Sequence, residues 1–539
     1  MRRWNGWGEE KNDMALPRGA RQILEGFLGA ARPLPDASLE QVLKSVPASR
    51  ISDGLHPLLK TDADTRLRHA RGQSLPDWLA MRSGEFGVFP DAVAFPESGE
   101  QIQALLQLAE RENLELIPYG GGTSVAGHIT PQASDRPIVT VALTRMNRLL
   151  DLDTESQVAT FGAGANGPQV EAQLRAQGYM LGHFPQSWEL STLGGWVASR
   201  SSGQQSLRYG RIEQLFAGGR METLRGTLDI PTIPASSAGP DLREWVLGSE
   251  GRMGILSDVK VRVSPLPEKE QFYTVFMPNW HQAMRAAQRI AQQRVPLSMM
   301  RASNAKETYT GVRLAVEESK VQWLDRYLRL RGLDEHACMV TFGVTGSSAQ
   351  VQSAYRQAMR VFRELGAVSV LSSKLGNKWE HGRFRFPYLR HALWKLGYAV
   401  DTFETAVDWS QLGPYVEAAE QRVSQALADE GEPVHVFTHL SHLYPQGSSA
   451  YTTYIYRCAD SYAGTLQRWK KLKKAASETV VEHGGTISHQ HGVGRDHAPW
   501  LAAEKTQLGL ETLKTVFDYY DPEGRLNPGV LLVDGEVLG

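Results

Sequence analysis

Three glycine-rich runs constrain this chain more than any other feature of its 539 residues. The first is Pro118-Tyr-Gly-Gly-Gly-Thr-Ser124, directly behind the apolar run 114–117. The second is Gly182-His-Phe-Pro-Gln-Ser-Trp-Glu-Leu-Ser-Thr-Leu-Gly-Gly-Trp196, continued by Ser199-Arg-Ser-Ser202. The third is Gly248-Ser-Glu-Gly-Arg-Met-Gly254, running into Ile255 and Leu256. Consecutive glycines let a backbone approach a ligand closely and aim successive N–H groups at an anion. Thr123 and Ser124 add hydroxyls to the first run, and small hydroxyl residues fill the second. A tight turn remains the plain alternative for the first run. It is not a phosphate-binding P-loop, because no Gly-Lys-Ser/Thr follows.

A fourth run, Gly162-Ala-Gly-Ala-Asn-Gly167, formally fits the G-x-G-x-x-G pattern of nicotinamide-dinucleotide folds. That pattern needs an acidic residue at the end of a strand about 20 residues on. The residue near that offset, Glu189, sits inside the second glycine run, so this reading is set aside.

The segments around these runs read as α+β. Residues 91–95, 114–117, 138–143 and 157–161 read as strands. Ser98 is placed to cap a helix with Gln101 at the return position of a capping box, and Ile102, Leu105, Leu106 and Ala109 form one helical face. Residues 170–177 read as a further helix. From 271 to about 480 the helical stretches lengthen (280–293, 351–365) between strand candidates such as 339–342. An antiparallel sheet with flanking helices suits that order. The expected division is an N-terminal helical segment 1–89, a domain at 90–267, a cap at 268–480 and a C-terminal segment 481–539.

Composition narrows the function classes. With 58 Lys+Arg against 59 Asp+Glu, the net charge of −1 argues against a nucleic-acid binder driven by a global field. Cys338 and Cys458 are the two cysteines, which excludes a disulfide scaffold or a Cys-rich metal centre. No apolar run reaches the roughly 18–20 residues of a spanning helix. The N-terminus lacks a signal peptide's apolar stretch, and 537–539 is not a peroxisomal address. A cytoplasmic protein is expected.

Taken together and in this order, the glycine runs resemble the flavin-binding domain of the vanillyl-alcohol oxidase (PCMH-type) flavoenzymes. Arg3-Trp-Asn-Gly-Trp-Gly8, Gly182-His183, Ser191-Thr-Leu-Gly-Gly-Trp196, Gly239-Pro-Asp241, Phe403-Glu-Thr405 and His489-Gln-His-Gly-Val-Gly494 resemble its alkyldihydroxyacetonephosphate synthase branch over essentially the whole chain. The resemblance implies a two-part PCMH-type FAD-binding domain and an antiparallel-sheet substrate cap. It implies FAD, expected to be non-covalent because no cysteine lies in the three loops and His128 and His183 are the only nearby candidates for a link. Residues placed at the cofactor are Pro118, Tyr119, Gly120, Gly121, Gly122, Thr123 and Ser124 from the first loop. From the second come Gln186, Ser187, Ser191, Thr192, Gly194, Gly195, Ser199, Arg200, Ser201 and Ser202. Glu250, Gly251, Gly254, Ile255 and Leu256 come from the third.

The same resemblance implies an exchange of the acyl group of acyl-dihydroxyacetone phosphate for a fatty alcohol, through an adduct at flavin N5 and with no net redox change. The alternative is an FAD-linked dehydrogenase or oxidase of a small 2-hydroxy acid or polyol phosphate. Arg390 corresponds to the family's phosphate-binding arginine, Arg301 to another functional arginine and Thr402 to a serine, although most arginines are surface residues. Tyr451 would be the general acid/base, its phenol helped by a neighbouring cation or histidine, where the bland reading is strand packing. His489, His491 and His183 complete the catalytic candidates, and His439 the substrate-binding ones. The family has arginine at the position of His439, aspartate at Gln186, and a third histidine at Gln490. These departures leave the flavin site intact and alter the rim of the substrate site.

His489 and His491, two apart, would share a face on a strand, and His435, His439 and His442 could add metal ligands. Related 2-hydroxy-acid dehydrogenases carry a metal-binding glutamate and a His-x-Gly-Asp-Gly-Asn run there. This chain has neither, so no metal is expected. The basic run 468–474 reads as a solvated helix face, with steering of anions or contact with a membrane surface as the alternatives. Expected partners are a small anionic or phosphorylated, lipid-like substrate, at most peripheral membrane contact, and a second copy in a homodimer.

Overall fold

The computed structural model describes residues 2–17, 19–315, 318–369 and 382–533; the tripeptide 537–539 lies outside the described residues. Helix and strand starts follow local chemistry. Ser98 accepts the Gln101 N–H at 3.4 Å and starts the helix Gly99–Arg111, which buries Ile102, Leu105, Leu106 and Ala109. The box is half formed, because the Gln101 side chain accepts from the Glu97 N–H instead, at 2.7 Å.

Strands β1 (Leu59–Lys60), β2 (Ala92–Ala94), β3 (Glu115–Tyr119) and β4 (Ile138–Ala142) form a sheet in the order β1-β2-β4-β3. Strand β4 runs parallel to β2 and β3. Strands β5 (Leu149–Asp153), β6 (Val158–Gly162), β8 (Phe216–Thr223), β9 (Gly226–Ile230) and β10 (Ile255–Arg262) form a second sheet, β5-β6-β10-β8-β9. The helix Gly99–Arg111 packs on β3 of the first sheet and on β8 and β10 of the second. The short pair β7 (Tyr179–Met180) and β11 (Ser264–Pro265) joins them. Strand β6 is antiparallel to both neighbours. The run 162–167 therefore does not sit in a parallel βαβ unit, and Asn166 instead caps the helix Gly167–Arg175.

The third sheet has seven antiparallel strands in the order β15-β12-β14-β13-β17-β18-β16. They are β12 (Lys269–Met277), β13 (Met299–Ser303), β14 (Cys338–Gly346), β15 (Val368–Ser369), β16 (Tyr398–Asp408), β17 (Val434–Leu440) and β18 (Gly447–Arg457). Helices Trp280–Gln292, Ser348–Glu364 and Trp409–Gln425 pack on it. Every residue of β18 except Arg457 is buried, so both faces of this strand are covered. Phe342 packs between Tyr273 and Phe362, with ring centroids 5.5 and 5.1 Å away. Each such pair contributes about 0.5–1.5 kcal/mol beyond its buried area.

Two expectations change. The basic run lies on the helix Tyr462–Glu482, but it is not a uniformly solvated face. Arg468 and Lys471 pair with Glu430 at 2.8 Å each, and Lys473 is buried against His497. A long helix buries one side whatever charges its sequence carries there. The N-terminal segment does contain helices, from Ala20 onward, but residues 2–17 are non-helical and lie across the molecule. The Arg2 guanidinium donates to the Gly121 carbonyl at 2.5 Å, and the Trp7 N–H to His391 at 3.0 Å. No described helix is long and apolar enough to cross a membrane.

Candidate active site

The glycine runs meet around one cavity of about 320 Å³. All the residues expected at the cofactor line it except Arg200. Arg200 points outward to Glu244 at 2.9 Å, so its place in the Ser199–Ser202 run misled.

The first loop is shaped by contact as well as by exposure. A Cβ on Gly121 would fall on the Leu190 carbonyl of the second loop, and Gly122 has φ +65°. No backbone N–H from 120 to 124 finds an acceptor among the described residues. Buried N–H groups rarely stay unpaired, and a row of them bordering a cavity is suited to a pyrophosphate. The chain therefore fits FAD at this place by its own geometry.

Glu250 ties the third loop to the C-terminal part of the chain. Its carboxylate accepts the N–H groups of Val493 and Gly494 at 2.6 and 2.8 Å. His128 Nε2 lies 3.2 Å from the same carboxylate, and its Nδ1 lies 2.6 Å from Ser124 Oγ. Burial opposes protonation of His128, but Glu250 outweighs it and the net shift is upward. His183 does not line the cavity. It is buried against Ser201 at 2.7 Å, and burial pushes it down to about 3.

The other end of the cavity is made by the seven-stranded sheet. Cross-strand register sets His439 of β17, Tyr451 of β18 and Glu404 of β16 in one row. The His439 and Tyr451 rings stack at 4.9 Å, and the Tyr451 hydroxyl donates to Thr402 at 3.0 Å. Tyr451, Thr402, Arg390, Gln490 and His491 all line the cavity. Arg390 is held by the Gln73 carbonyl at 2.6 Å, lies 3.6 Å from Asp401 and sits over the Trp78 ring at 5.1 Å. Next to it the lining turns apolar, with Phe386, Pro387, Leu389 and Val400.

Burial pushes the Tyr451 phenol up, and the carboxylates Glu404 and Asp401 add to that. The hydrogen bond to Thr402 and the charge of Arg301 only partly oppose it. The expectation of a lowered phenol pKa is therefore overturned. Tyr451 is a neutral hydrogen-bond donor here.

Arg301 and His439 line a smaller adjoining cavity of about 40 Å³, which shares Gln186, Ser202, Tyr451 and Gln490 with the first. Both are already engaged with buried Glu307, at 2.5 Å for Arg301 and 3.0 Å for His439. Burial works against ionisation of Glu307, but His439 and Arg301 hold its carboxylate at about 2.

His489 and His491 do not share a face, because their segment is not a strand. His491 borders the cavity, edge-on to Tyr451 at 5.9 Å. His489 turns away and meets Glu404 at 3.1 Å, Arg211 at 2.7 Å and Tyr444 at 2.7 Å. Glu404 thus supplies the buried acid that seemed missing: its carboxylate and the imidazoles of His442 and His489 have ligand-type atoms within 4.8 Å of one another. Sequence reasoning did not single out Glu404, Arg211 or Trp7 as site residues, although Glu404 and Trp7 fall inside the quoted motifs.

Comparison with known proteins agrees with this geometry. Residues 90–229 match the family "FAD binding domain", and 266–531 match "FAD linked oxidases, C-terminal domain". The chain is 30% identical to the alkyldihydroxyacetonephosphate synthase of Dictyostelium discoideum, covering 98% of this chain and 93% of that one. It is 28% identical to the synthase of Trypanosoma brucei brucei, over 98% and 92%. A solved alkyldihydroxyacetonephosphate synthase superposes with a TM-score of 0.84 at 27% identity, covering 98% of each chain. With loops, sheet and sequence in agreement along nearly its full length, the chain belongs to the alkyldihydroxyacetonephosphate synthase family of FAD-dependent enzymes.

Proposed function

We propose that the protein exchanges the acyl group of an acyl-dihydroxyacetone phosphate for a fatty alcohol, with FAD held non-covalently between residues 90–267 and the cap 268–480. The observation that carries this reading is the meeting of Arg390, Tyr451 and His491 at one end of the cofactor cavity, beside an apolar lining. When bound, the flavin supplies the reactive ring nitrogen at which the substrate carbon is held. The chain's residues do the rest. Arg390 is clamped by Gln73 and Trp78, and its remaining N–H groups suit a phosphate. Phe386, Leu389 and Val400 suit an alkyl chain.

The exchange breaks one C1–O bond, whose electron pair leaves with the carboxylate, and forms another to the alcohol oxygen. It therefore needs a proton acceptor and a proton donor. Burial, aided by Lys473, lowers the pKa of His491 against the pull of Glu404, which leaves a neutral imidazole able to accept. Tyr451, held neutral, is placed to donate. No cysteine stands in the three loops, and His128 lies against Glu250 and Ser124, which supports a flavin without a covalent link.

The test is to incubate the yellow protein with acyl-dihydroxyacetone phosphate and a long-chain alcohol. The expected outcome is alkyl-dihydroxyacetone phosphate and free fatty acid in equal amounts, with no net change in flavin absorption. Catalytic bleaching by 2-hydroxy acids or glycerol phosphates, with no exchange, would instead establish the dehydrogenase reading.

A further inference from the structure

Among the polar groups around the cavity, His489 differs from the rest in how completely it is held. The Arg211 guanidinium donates to His489 Nε2 at 2.7 Å and to the His489 carbonyl at 2.9 Å. Tyr444 Oη also lies 2.7 Å from Nε2, and Arg211 donates to that oxygen at 3.1 Å. On the other side, Glu404 Oε1 lies 3.1 Å from Nδ1.

These contacts fix the proton. A guanidinium does not give up its hydrogens, so Nε2 must be the acceptor. The hydrogen therefore sits on Nδ1 and is donated to Glu404. Neither nitrogen retains a lone pair directed at the cavity, and His489 is not among the cavity-lining residues. His491, two residues on, has no hydrogen-bond partner among the described residues and does line it.

Arg211 also anchors backbone. Its second Nη donates to the Arg200 carbonyl at 3.1 Å, and its Nε pairs with Glu213 at 2.9 Å. One guanidinium thus joins the second glycine loop to the backbone that carries Gln490 and His491 into the cavity.

We infer that Arg211 and Glu404 are positioning residues that fix His489 as a neutral, Nδ1-protonated imidazole, which carries no proton in the reaction and serves to set the place of His491. The functional part of this rests on the proposed exchange; the protonation state does not. The groups facing His489 are Glu404 from β16, Arg211 and Glu213 from the segment after the second glycine loop, and His442 and Tyr444 from the segment after β17. Burial keeps the proton off His489, and Arg211 works in the same direction against Glu404.

The first test needs no substrate. In the FAD-loaded protein labelled with 15N-histidine, His489 is assigned by its loss in His489→Asn. The expected signals are those of the Nδ1–H tautomer, unchanged from pH 5.5 to 9. An Nε2–H tautomer, an imidazolium at pH 7, or displacement of the Nδ1 proton by added Zn²⁺ or Mn²⁺ overturns the inference.

The second test is kinetic. An Asn amide can replace Nδ1–H towards Glu404, so His489→Asn should lower kcat less than about tenfold, while His491→Asn lowers it about 10³-fold. Equal losses overturn the assignment. Arg211→Gln should lower kcat about 10–100-fold with little change in KM. An unchanged kcat together with unchanged 15N signals of His489 in this variant overturns the role of Arg211.

Discussion

The two ends of the cavity are built on different principles. The cofactor end is made of backbone: three loops, their glycines and short hydroxyl side chains, with the N–H groups of 120–124 left without acceptors among the described residues. The substrate end is made of long side chains gathered from β16, β17, β18, the 386–394 helix and the 489–491 segment. Its carboxylates find their partners inside the protein: Glu307 with Arg301 and His439, Glu404 with the neutral His489. A backbone site depends on how closely chain segments can approach. A side-chain site depends on buried ion pairs whose loss leaves a charge uncompensated.

Substitutions can break or sharpen that contrast. The largest expected effect is Tyr451→Phe, which removes the cavity's phenolic donor without touching a loop. Turnover should fall about 10³-fold while flavin absorbance per protein is unchanged; loss of flavin would mean the two ends are not separable.

Next is Glu307→Gln, which leaves partly buried Arg301 and buried His439 without their anion. The Glu307 pKa falls from 4.5 to about 2 on folding, so the carboxylate stabilises the fold by on the order of 3 kcal/mol at neutral pH. A depressed acid contributes above its unfolded pKa. The stability gap in urea unfolding should therefore be constant above about pH 5 and close between 4.5 and 2. A gap independent of pH would show that the charge is not what holds Arg301.

Gly121→Ala acts on the other end. The added Cβ meets the Leu190 carbonyl, and such overpacking costs about 1–3 kcal/mol. FAD retention in equilibrium dialysis should weaken about 10–100-fold, with little effect on kcat once the protein is saturated. The smallest effect is Arg200→Ala. Its exposed pair with Glu244 is worth under about 1 kcal/mol, and both FAD affinity and turnover should stay within twofold.

The same contrast explains what could be read from sequence. A backbone site leaves its mark in consecutive residues, which is why the glycine runs and their hydroxyl neighbours located the cofactor end. Of the residues expected there, Arg200 alone does not line the cavity, since being inside a run says nothing of where a side chain points. Of the antiparallel sheet, the stretch 339–342 and the segment around Tyr451 were read as strands, but the partner opposite each residue was not legible. Glu404 stands inside Phe403-Glu-Thr405, yet its importance comes from facing Tyr451 and His489, and register with distant strands is not written locally. Arg211 lies between Gly210 and Ile212 with no pattern around it. The phenol of Tyr451 was expected to be eased downward by neighbours. How deeply a side chain is buried depends on both faces of β18 being covered, which one strand's sequence does not state.

The Glu250 carboxylate, which borders the cavity while accepting the N–H groups of Val493 and Gly494, fastens the third glycine loop to the stretch that follows His489 and His491. Whatever settles the third glycine loop also settles the stretch on which His489 and His491 are carried. By reciprocity, a ligand that binds His491 better when the loop is settled should raise the affinity for the cofactor by the same factor as the cofactor raises its own.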